Sequence, residues 1–267
     1  MPASPPTVLA LDFDGVLCDG MSEYFGSAWR AWRRLRPSVA SDPPGWLADR
    51  FARTRPVVEH GWEMPLLVMA LLSGASEAEI LERWHPDARL AESRRARDEI
   101  AATLDGVRDE WIAADEADWL DQHRFYPGVI ERLKRLSGGP TRVVVVTTKE
   151  GRFARKLLAR QGLDLGGADV YGKEAARSKP AILGELLEPR AAARRLWFVE
   201  DRLKTLDAAK DTRGLEDVGL FLAGWGYNTP RDRQAARDDG RIVLLSLERF
   251  AGDFPEWVQQ PSPRLHT

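Results

Sequence analysis

The fold is decided by the stretch TVLALDFDG, residues 7–15. Residues 8–11 form an uninterrupted apolar run, which is typical of a short strand that is covered on both faces. Asp12 and Asp14 follow this run directly, and Gly15 comes next. The stretch therefore predicts a buried parallel strand that ends in two carboxylates and a turn.

Residues 20–124 have a different character, because their apolar residues recur at helical spacing and form no convincing strand run. This spacing is shown by Phe25, Trp29, Trp32 and Leu35. The block separates the first strand from every later one. We therefore predict that 20–124 is a helical cap domain, inserted into a core domain made of 1–19 and 125–267.

From residue 125 onward, apolar strand runs alternate with helical patterns. Strands are expected at 142–147, 168–171, 196–199, 218–222 and 242–245, with helices between them. This alternation predicts an α/β fold with a doubly wound parallel sheet. In such sheets the ligand crevice lies beyond the carboxyl ends of the strands, so the helical insertion is expected to act as a lid.

The composition excludes several classes of protein. Hydrophobic residues make up 43% of the 267, which is enough to bury a core. The net charge of −2 gives no overall field that would attract nucleic acid or an anionic membrane. Cys18 is the only cysteine, so no intramolecular disulfide can form. The N-terminal segment lacks a signal peptide and no apolar run approaches 20 residues, so a cytoplasmic protein is expected.

Chemistry-bearing residues stand where the predicted strands end. They are Asp12, Asp14, Thr147, Thr148, Glu200 and Asp201, together with Lys179 at the start of a helix. Neighbouring carboxylates repel one another, and Mg²⁺ relieves that repulsion because it prefers oxygen ligands. A lysine, a hydroxyl and backbone N–H groups can hold phosphate beside the metal. A carboxylate can then attack phosphorus as a nucleophile.

Four segments resemble the motifs of the haloacid dehalogenase-like (HAD) superfamily, in the family's order. They are DFDGVL at 12–17, the valine strand that ends at Thr147, SKP at 178–180 and FVED at 198–201. The resemblance covers the core domain, whereas the cap matches only in being helical and in its point of insertion. It implies a Rossmann-like core and a phosphatase-type hydrolase.

The resemblance also implies roles for these residues. Asp12 would be the nucleophile, Asp14 the general acid and then the base, and Thr147 a phosphate ligand. Lys179 would balance the negative charge. The predicted Mg²⁺ ligands are Asp12, Asp14 through its carbonyl group, Asp201 and Glu200. The predicted substrate-binding residues are Thr148, Gly15 and Arg55.

The fourth motif departs from the family's common form. Glu200 stands where glycine is usual, and the acid expected four or five positions after Asp201 is missing, since Asp207 comes one step late. Glu200 is therefore predicted to complete the metal site, with Asp207 as the alternative. Lys149 and Lys173 compete with Lys179 for the role of the lysine.

The arginines of the cap form a basic cluster. They include Arg30, Arg33, Arg34 and Arg36, which are interpreted as a solvated helix face. Arg53 or Arg55 could instead reach the crevice and bind the anion of a substrate.

The leading functional prediction is a Mg²⁺-dependent phosphomonoester hydrolase. Its substrate would be a small phosphorylated metabolite, and no nucleic acid or membrane partner is expected. The resemblance disfavours a dehalogenase, because dehalogenases of this superfamily lack an acid at the position that Asp14 occupies here. It also disfavours a phosphonate-cleaving enzyme, which would need a lysine in the cap, since residues 20–124 contain none. The alternatives are a phosphotransferase or sugar-phosphate mutase on the same core, and a non-catalytic binding protein of this fold.

Overall fold

The computed structural model describes residues 4–37, 41–188 and 194–258. The chain divides into two compact units, one formed by residues 1–19 and 125–267 and the other by residues 20–124. No helix in the described ranges is long and apolar enough to cross a membrane.

The first unit is built on a six-stranded parallel sheet. Along the chain the strands are β1 (Val8–Leu11), β2 (Cys18–Asp19), β3 (Arg124–Phe125), β4 (Arg142–Val146), β5 (Val170–Tyr171), β6 (Leu196–Glu200), β7 (Gly219–Ala223) and β8 (Ile242–Leu245). The main sheet has the order β5-β4-β1-β6-β7-β8, and β2 pairs separately with β3. With the helices that flank it, this sheet confirms the predicted α/β fold class.

The position of β1 follows from its sequence. It lies between β4 and β6, and all four of its side chains are buried, as the apolar run without polar alternation predicts. Leu11 is in register with Val145 on one side and with Val199 on the other. The residues that follow these three positions therefore leave the sheet at the same edge.

The second unit consists of helices. They are α1 (Met21–Leu35), α2 (Leu47–Thr54), α3 (Glu63–Leu72), α4 (Glu77–Arg83), α5 (Pro86–Ser93), α6 (Arg97–Ala114) and α7 (Glu116–Asp121). Trp29, Trp32 and Trp62 belong to its buried core, so these tryptophans serve packing. Glu23 on α1 is almost fully buried, and its Oε1 accepts a hydrogen bond from Arg108 Nε on α6 at 2.7 Å.

The helices of the first unit flank its sheet. They are α8 (Val129–Leu136), α9 (Gly151–Arg160), α10 (Lys179–Leu187), α11 (Leu203–Lys210), α12 (Pro230–Asp238), α13 (Leu247–Ala251) and α14 (Phe254–Val258). Ile182 and Leu186 of α10 share one buried cluster with Val144 and Phe198 of the sheet. This packing fixes α10, and with it the residue at its start, against the strands.

The strand predicted at 168–171 is only half as long as expected. Only Val170–Tyr171 of the segment 168–171 is strand, because the chain just before it forms a 3₁₀ turn at Gly167–Asp169. The Asp169 N–H donates to Gly166 O at 2.8 Å, which takes that part of the backbone out of the sheet ladder. The apolar pattern of a short segment does not show whether its backbone closes a hydrogen-bonded turn.

Candidate active site

Three buried carboxylates meet at the carboxyl edge of the sheet. Asp12 follows β1, Glu200 is the last residue of β6, and Asp201 comes after it. Each offers an oxygen within 4.8 Å of the other two, and all three side chains are buried. The register of β1 and β6 brings them together, because Asp12 continues the main chain beside Val199, to whose carbonyl its N–H donates at 2.9 Å.

Lys179 contacts two members of this cluster. Its Nζ lies 2.9 Å from Asp12 Oδ1 and 2.7 Å from Glu200 Oε2. It is the first residue of α10, and the hydroxyl of Ser178 caps that helix by accepting from the Ala181 N–H at 3.3 Å. The motif SKP therefore both starts the helix and delivers the ammonium group to the carboxylates.

Charge and burial oppose each other in this cluster. Burial, together with the nearby charge of Glu200, raises the pKa of Asp12 to about 7 despite the attraction of Lys179. Burial likewise raises the pKa values of Glu200 and Asp201. Burial lowers the pKa of Lys179, but Asp12 and Glu200 outweigh it and raise that pKa overall.

The donor set fits a divalent cation. Among the described residues, the three buried carboxylates meet the ammonium group of Lys179 and the positive charge of Arg202, which acts on Asp201, so negative charge predominates in the cluster. Carboxylate oxygens are the ligands that hard cations such as Mg²⁺ prefer. Asp12, Glu200 and Asp201 are the residues that would hold the ion.

The loop after β7 fixes Asp201, a feature that the sequence analysis missed. The Tyr227 N–H donates to Asp201 Oδ2 at 2.8 Å, and Asn228 Nδ2 donates to the Asp201 carbonyl at 3.1 Å. A Cβ on Gly226 would lie 2.4 Å from Asp201 Cβ, so no other residue fits there without a shift. The sequence held a signal for this loop, because the loop follows a predicted strand, β7, and residues after such strands are candidates for the site.

Gly15 is required by both backbone and space. Its φ of +82° lies in the left-handed region that favours glycine, and an added Cβ would lie 2.2 Å from Asp201 Oδ2. Gly15 therefore lets the turn after β1 approach the acid cluster closely.

Asp14 has a different partner from the three clustered acids. Lys149 Nζ lies 3.2 Å from both carboxylate oxygens of Asp14. The carboxylate-rich group found among the described residues comprises Asp12, Glu200 and Asp201, without Asp14. In the described part of the chain, Lys149 and Lys179 therefore pair with different carboxylates of the site.

The two threonines after β4 differ in exposure. Thr147 is buried, its N–H donates to Tyr171 O at 2.9 Å, and its hydroxyl accepts from the Lys149 N–H at 3.1 Å. Thr148 is exposed. Thr147 therefore fixes the start of the loop that carries Lys149.

The alternative acid has its own partner. Asp207 Oδ1 lies 2.9 Å from Lys210 Nζ on the same helix, and Asp207 is not among the clustered acids. The structure thus brings Glu200, and not Asp207, to Asp201.

The arginines proposed for substrate binding lie in the helical unit. Arg55 donates from Nη1 to Val58 O at 3.0 Å, and its guanidinium lies 4.9 Å from the centre of the Tyr24 ring. Arg53 makes two hydrogen bonds of 2.7 Å to the carboxylate of Glu77. Arg53 is thus committed to an ion pair within its unit.

The comparisons with known proteins point to one family. A family model described as haloacid dehalogenase-like hydrolase matches residues 6–211, which is more than half of the chain. None of the curated proteins matches this sequence significantly.

Solved structures with a similar fold carry related descriptions. A hydrolase of the haloacid dehalogenase-like family from Streptococcus pneumoniae is 16% identical and has a TM-score of 0.55, over 89% of this chain and 93% of that one. A protein described as a predicted phosphoglycolate phosphatase, from Haemophilus somnus, is 17% identical with a TM-score of 0.55, over 85% and 89%. A predicted phosphatase from Clostridium acetobutylicum is 13% identical with a TM-score of 0.51, over 90% and 94%. At such identities the likeness shows a shared fold.

Proposed function

This chain belongs to the haloacid dehalogenase-like hydrolase family, and from that premise we propose that it is a Mg²⁺-dependent phosphomonoester hydrolase that acts on a small phosphorylated metabolite. The observation that carries the proposal is the buried set in which Lys179 Nζ bridges Asp12 and Glu200 at 2.9 and 2.7 Å, with Asp201 beside them. A nucleophilic carboxylate, a fixed cation and ligands for a metal are the groups that phosphoryl transfer through an aspartyl phosphate requires.

The first chemical step uses Asp12 and Asp14. A carboxylate oxygen of Asp12 attacks phosphorus and forms a P–O bond, while the bond from phosphorus to the ester oxygen breaks. Asp14, in its protonated form, gives its proton to that oxygen, so the product leaves as a neutral alcohol. Lys179 orients Asp12 and offsets the charge that gathers on the transferring phosphoryl group.

The second step reverses the role of Asp14. Its carboxylate takes a proton from a water molecule as the water oxygen attacks phosphorus, and the bond to Asp12 breaks. Inorganic phosphate leaves and both aspartates return to their starting states. Bound Mg²⁺ supplies positive charge near the phosphate oxygens, and we propose Asp12, Asp201, Glu200 and the carbonyl group of Asp14 as its ligands.

We further assign phosphate binding to residues at the strand ends. Thr147 is proposed to hold a phosphate oxygen, and the backbone at Gly15 and Thr148 to complete the anion site. What supports this assignment is that Thr147 and Gly15 border the loops that carry Lys149 and Asp14.

The helical unit, residues 20–124, is proposed to be a cap domain that specifies the substrate, with Arg55 as a binding residue. The support is the chain connection, because the unit is inserted shortly after the turn that carries Asp12 and Asp14. Active-site lids commonly exclude water and select substrates in this way.

The test is hydrolysis of p-nitrophenyl phosphate with Mg²⁺ or with a chelator. Wild type is expected to be active only with Mg²⁺, and Asp12→Asn to fall to the background rate because it lacks the nucleophile. Asp207→Asn is the matched control, since it removes an acid outside the cluster. Activity that survives in chelator or in Asp12→Asn would overturn the mechanism. Phosphate transfer to an added alcohol in place of water would favour a phosphotransferase.

A further inference from the structure

We propose that Lys149 is a positioning residue that holds the carboxyl group of Asp14 where it exchanges a proton with the ester oxygen. This inference rests on the proposed function and deepens it. The geometry that carries it is the approach of Lys149 Nζ to within 3.2 Å of both Asp14 carboxylate oxygens. The residues are separated by 135 positions in the chain, so the contact is made by the fold alone.

The main chain at Asp14 is fixed without help from its side chain. Asp14 forms an isolated bridge with Cys18, and the Gly15 N–H donates to Cys18 O at 2.8 Å. These contacts hold the turn, but they leave rotation about the Asp14 Cα–Cβ bond open. Within the described part of the chain, Lys149 is the polar group that contacts the Asp14 carboxylate. Loss of Lys149 would therefore release the side chain and not the turn.

The backbone of Lys149 is held in place by hydrogen bonds. Its N–H donates to Thr147 Oγ1 at 3.1 Å, and its carbonyl accepts from the Lys173 N–H at 2.9 Å. It follows β4, which pairs with β1 in parallel, so the loops that leave the two strands are neighbours at one sheet edge. The lysine side chain is 9% exposed and that of Asp14 is 15% exposed. Low exposure restricts both side chains and reduces screening of their charges by water.

The two lysines divide the work of the site. Lys179 contacts Asp12 and Glu200, on which nucleophilic attack and metal binding depend. Lys149 contacts Asp14, on which proton transfer depends. A defect at Lys149 should therefore follow the need of the leaving group for a proton. A merely structural ion pair would affect all substrates alike.

The experiment compares two esters that differ in this need. p-Nitrophenolate is a stable leaving group that departs without a proton, whereas an alkoxide must be protonated as it leaves. The measured quantity is kcat/KM for p-nitrophenyl phosphate and for glycerol phosphate with Mg²⁺. This ratio reports on the steps up to departure of the leaving group and excludes the later hydrolysis of the aspartyl phosphate.

Lys149→Met is expected to lower kcat/KM for glycerol phosphate at least tenfold more than for p-nitrophenyl phosphate. Asp14→Asn should show the same selectivity in stronger form, and Lys149→Arg, which keeps a cation, should restore part of the lost activity. Lys173→Met is the matched control, because it removes an exposed lysine from the adjoining 3₁₀ helix Lys173–Ala175, and it should remain within twofold of wild type. Lys149→Gln carries the same comparison if Lys149→Met does not fold.

Equal losses on the two esters, or a loss below twofold on glycerol phosphate, would overturn the inference. The proposed function is tested separately and first, by measuring the activity of the wild-type protein on both esters. If wild type hydrolyses neither ester with Mg²⁺, the proposed function falls and the role of Lys149 falls with it. If wild type is active but Lys149→Met shows no leaving-group selectivity, only the role of Lys149 is refuted.

Discussion

In the absence of divalent metal, the acid cluster should make the free energy of unfolding smaller at high pH than at low pH. Burial and Glu200 raise the pKa of Asp12 from 3.8 to about 7 in the folded state, whereas the unfolded chain keeps the ordinary value. Between these two values the folded state binds more protons than the unfolded state. The contribution of Asp12 to the free energy of unfolding is therefore fully present below about pH 4, and it is lost as the pH rises through about 7.

The size of the effect follows from the difference between the two pKa values. A difference of about three units corresponds to about 4 kcal/mol over the whole window, at about 1.4 kcal/mol per unit. Between pH 5 and pH 8, about 3 kcal/mol of that should be lost. Burial also raises the pKa values of Glu200 and Asp201, which adds to the loss in the same direction.

The assay is urea unfolding followed by tryptophan fluorescence, in chelator, at several pH values from 5 to 8. Acids paired with arginine at the surface, such as Glu77, have lowered pKa values and act in the opposite direction. The quantity to plot is therefore the free energy of unfolding of wild type minus that of Asp12→Asn, in which these shared contributions cancel. Saturating Mg²⁺ should flatten the plot, because the carboxylates then stay ionised beside the metal.

A difference plot in chelator that is flat, or that rises with pH, would refute the reasoning. It would mean that the acid cluster is not strained by its own charge. A plot that keeps its slope in saturating Mg²⁺ would refute the assignment of the cluster as a metal site.

Three further outcomes are expected from single substitutions. Lys179→Met should lower the free energy of unfolding by about 3–5 kcal/mol in chelator at pH 8, measured by urea unfolding, since it leaves buried carboxylates without their cation. Gly226→Ala should weaken Mg²⁺ binding by about 10- to 100-fold, because the added Cβ displaces Asp201; the Mg²⁺ dependence of the melting temperature reports it, and an unchanged dependence would contradict the close packing. Asp207→Asn should leave that dependence unchanged and cost less than about 1 kcal/mol, since this acid pairs with Lys210 near the surface; a loss of Mg²⁺ binding would return it to the metal site.

The fold could be predicted in large part because its periodic signals are strong. The apolar run before Asp12 and the valine strand before Thr147 are buried on both faces, and such runs have few other interpretations. Alternation of strands and helices then restricts the topology to a parallel sheet. The strand at 168–171 was predicted too long, because a turn closed by backbone hydrogen bonds leaves no periodic signal.

The candidate site was predicted unevenly. The clustering of Asp12, Glu200 and Asp201 could be predicted, since parallel strands deliver their last residues to one edge. The contribution of the loop after β7 was missed, because it acts through the Tyr227 N–H and the space at Gly226. The end of β7 points to this loop, but the sequence does not show which backbone N–H or which glycine of the loop meets Asp201.

By itself, the sequence determined the α/β class, the order of the elements and the acids and lysines that end or begin them. The class can be predicted because a buried strand must carry apolar side chains, which leave a visible pattern. The order of the elements is the order of these patterns along the chain. Only the tertiary structure decided which charges pair: Lys179 with Asp12 and Glu200, and Lys149 with Asp14. Pairing depends on distances of about 3 Å between loops far apart in the chain, and a charge interaction in a buried site depends on that separation.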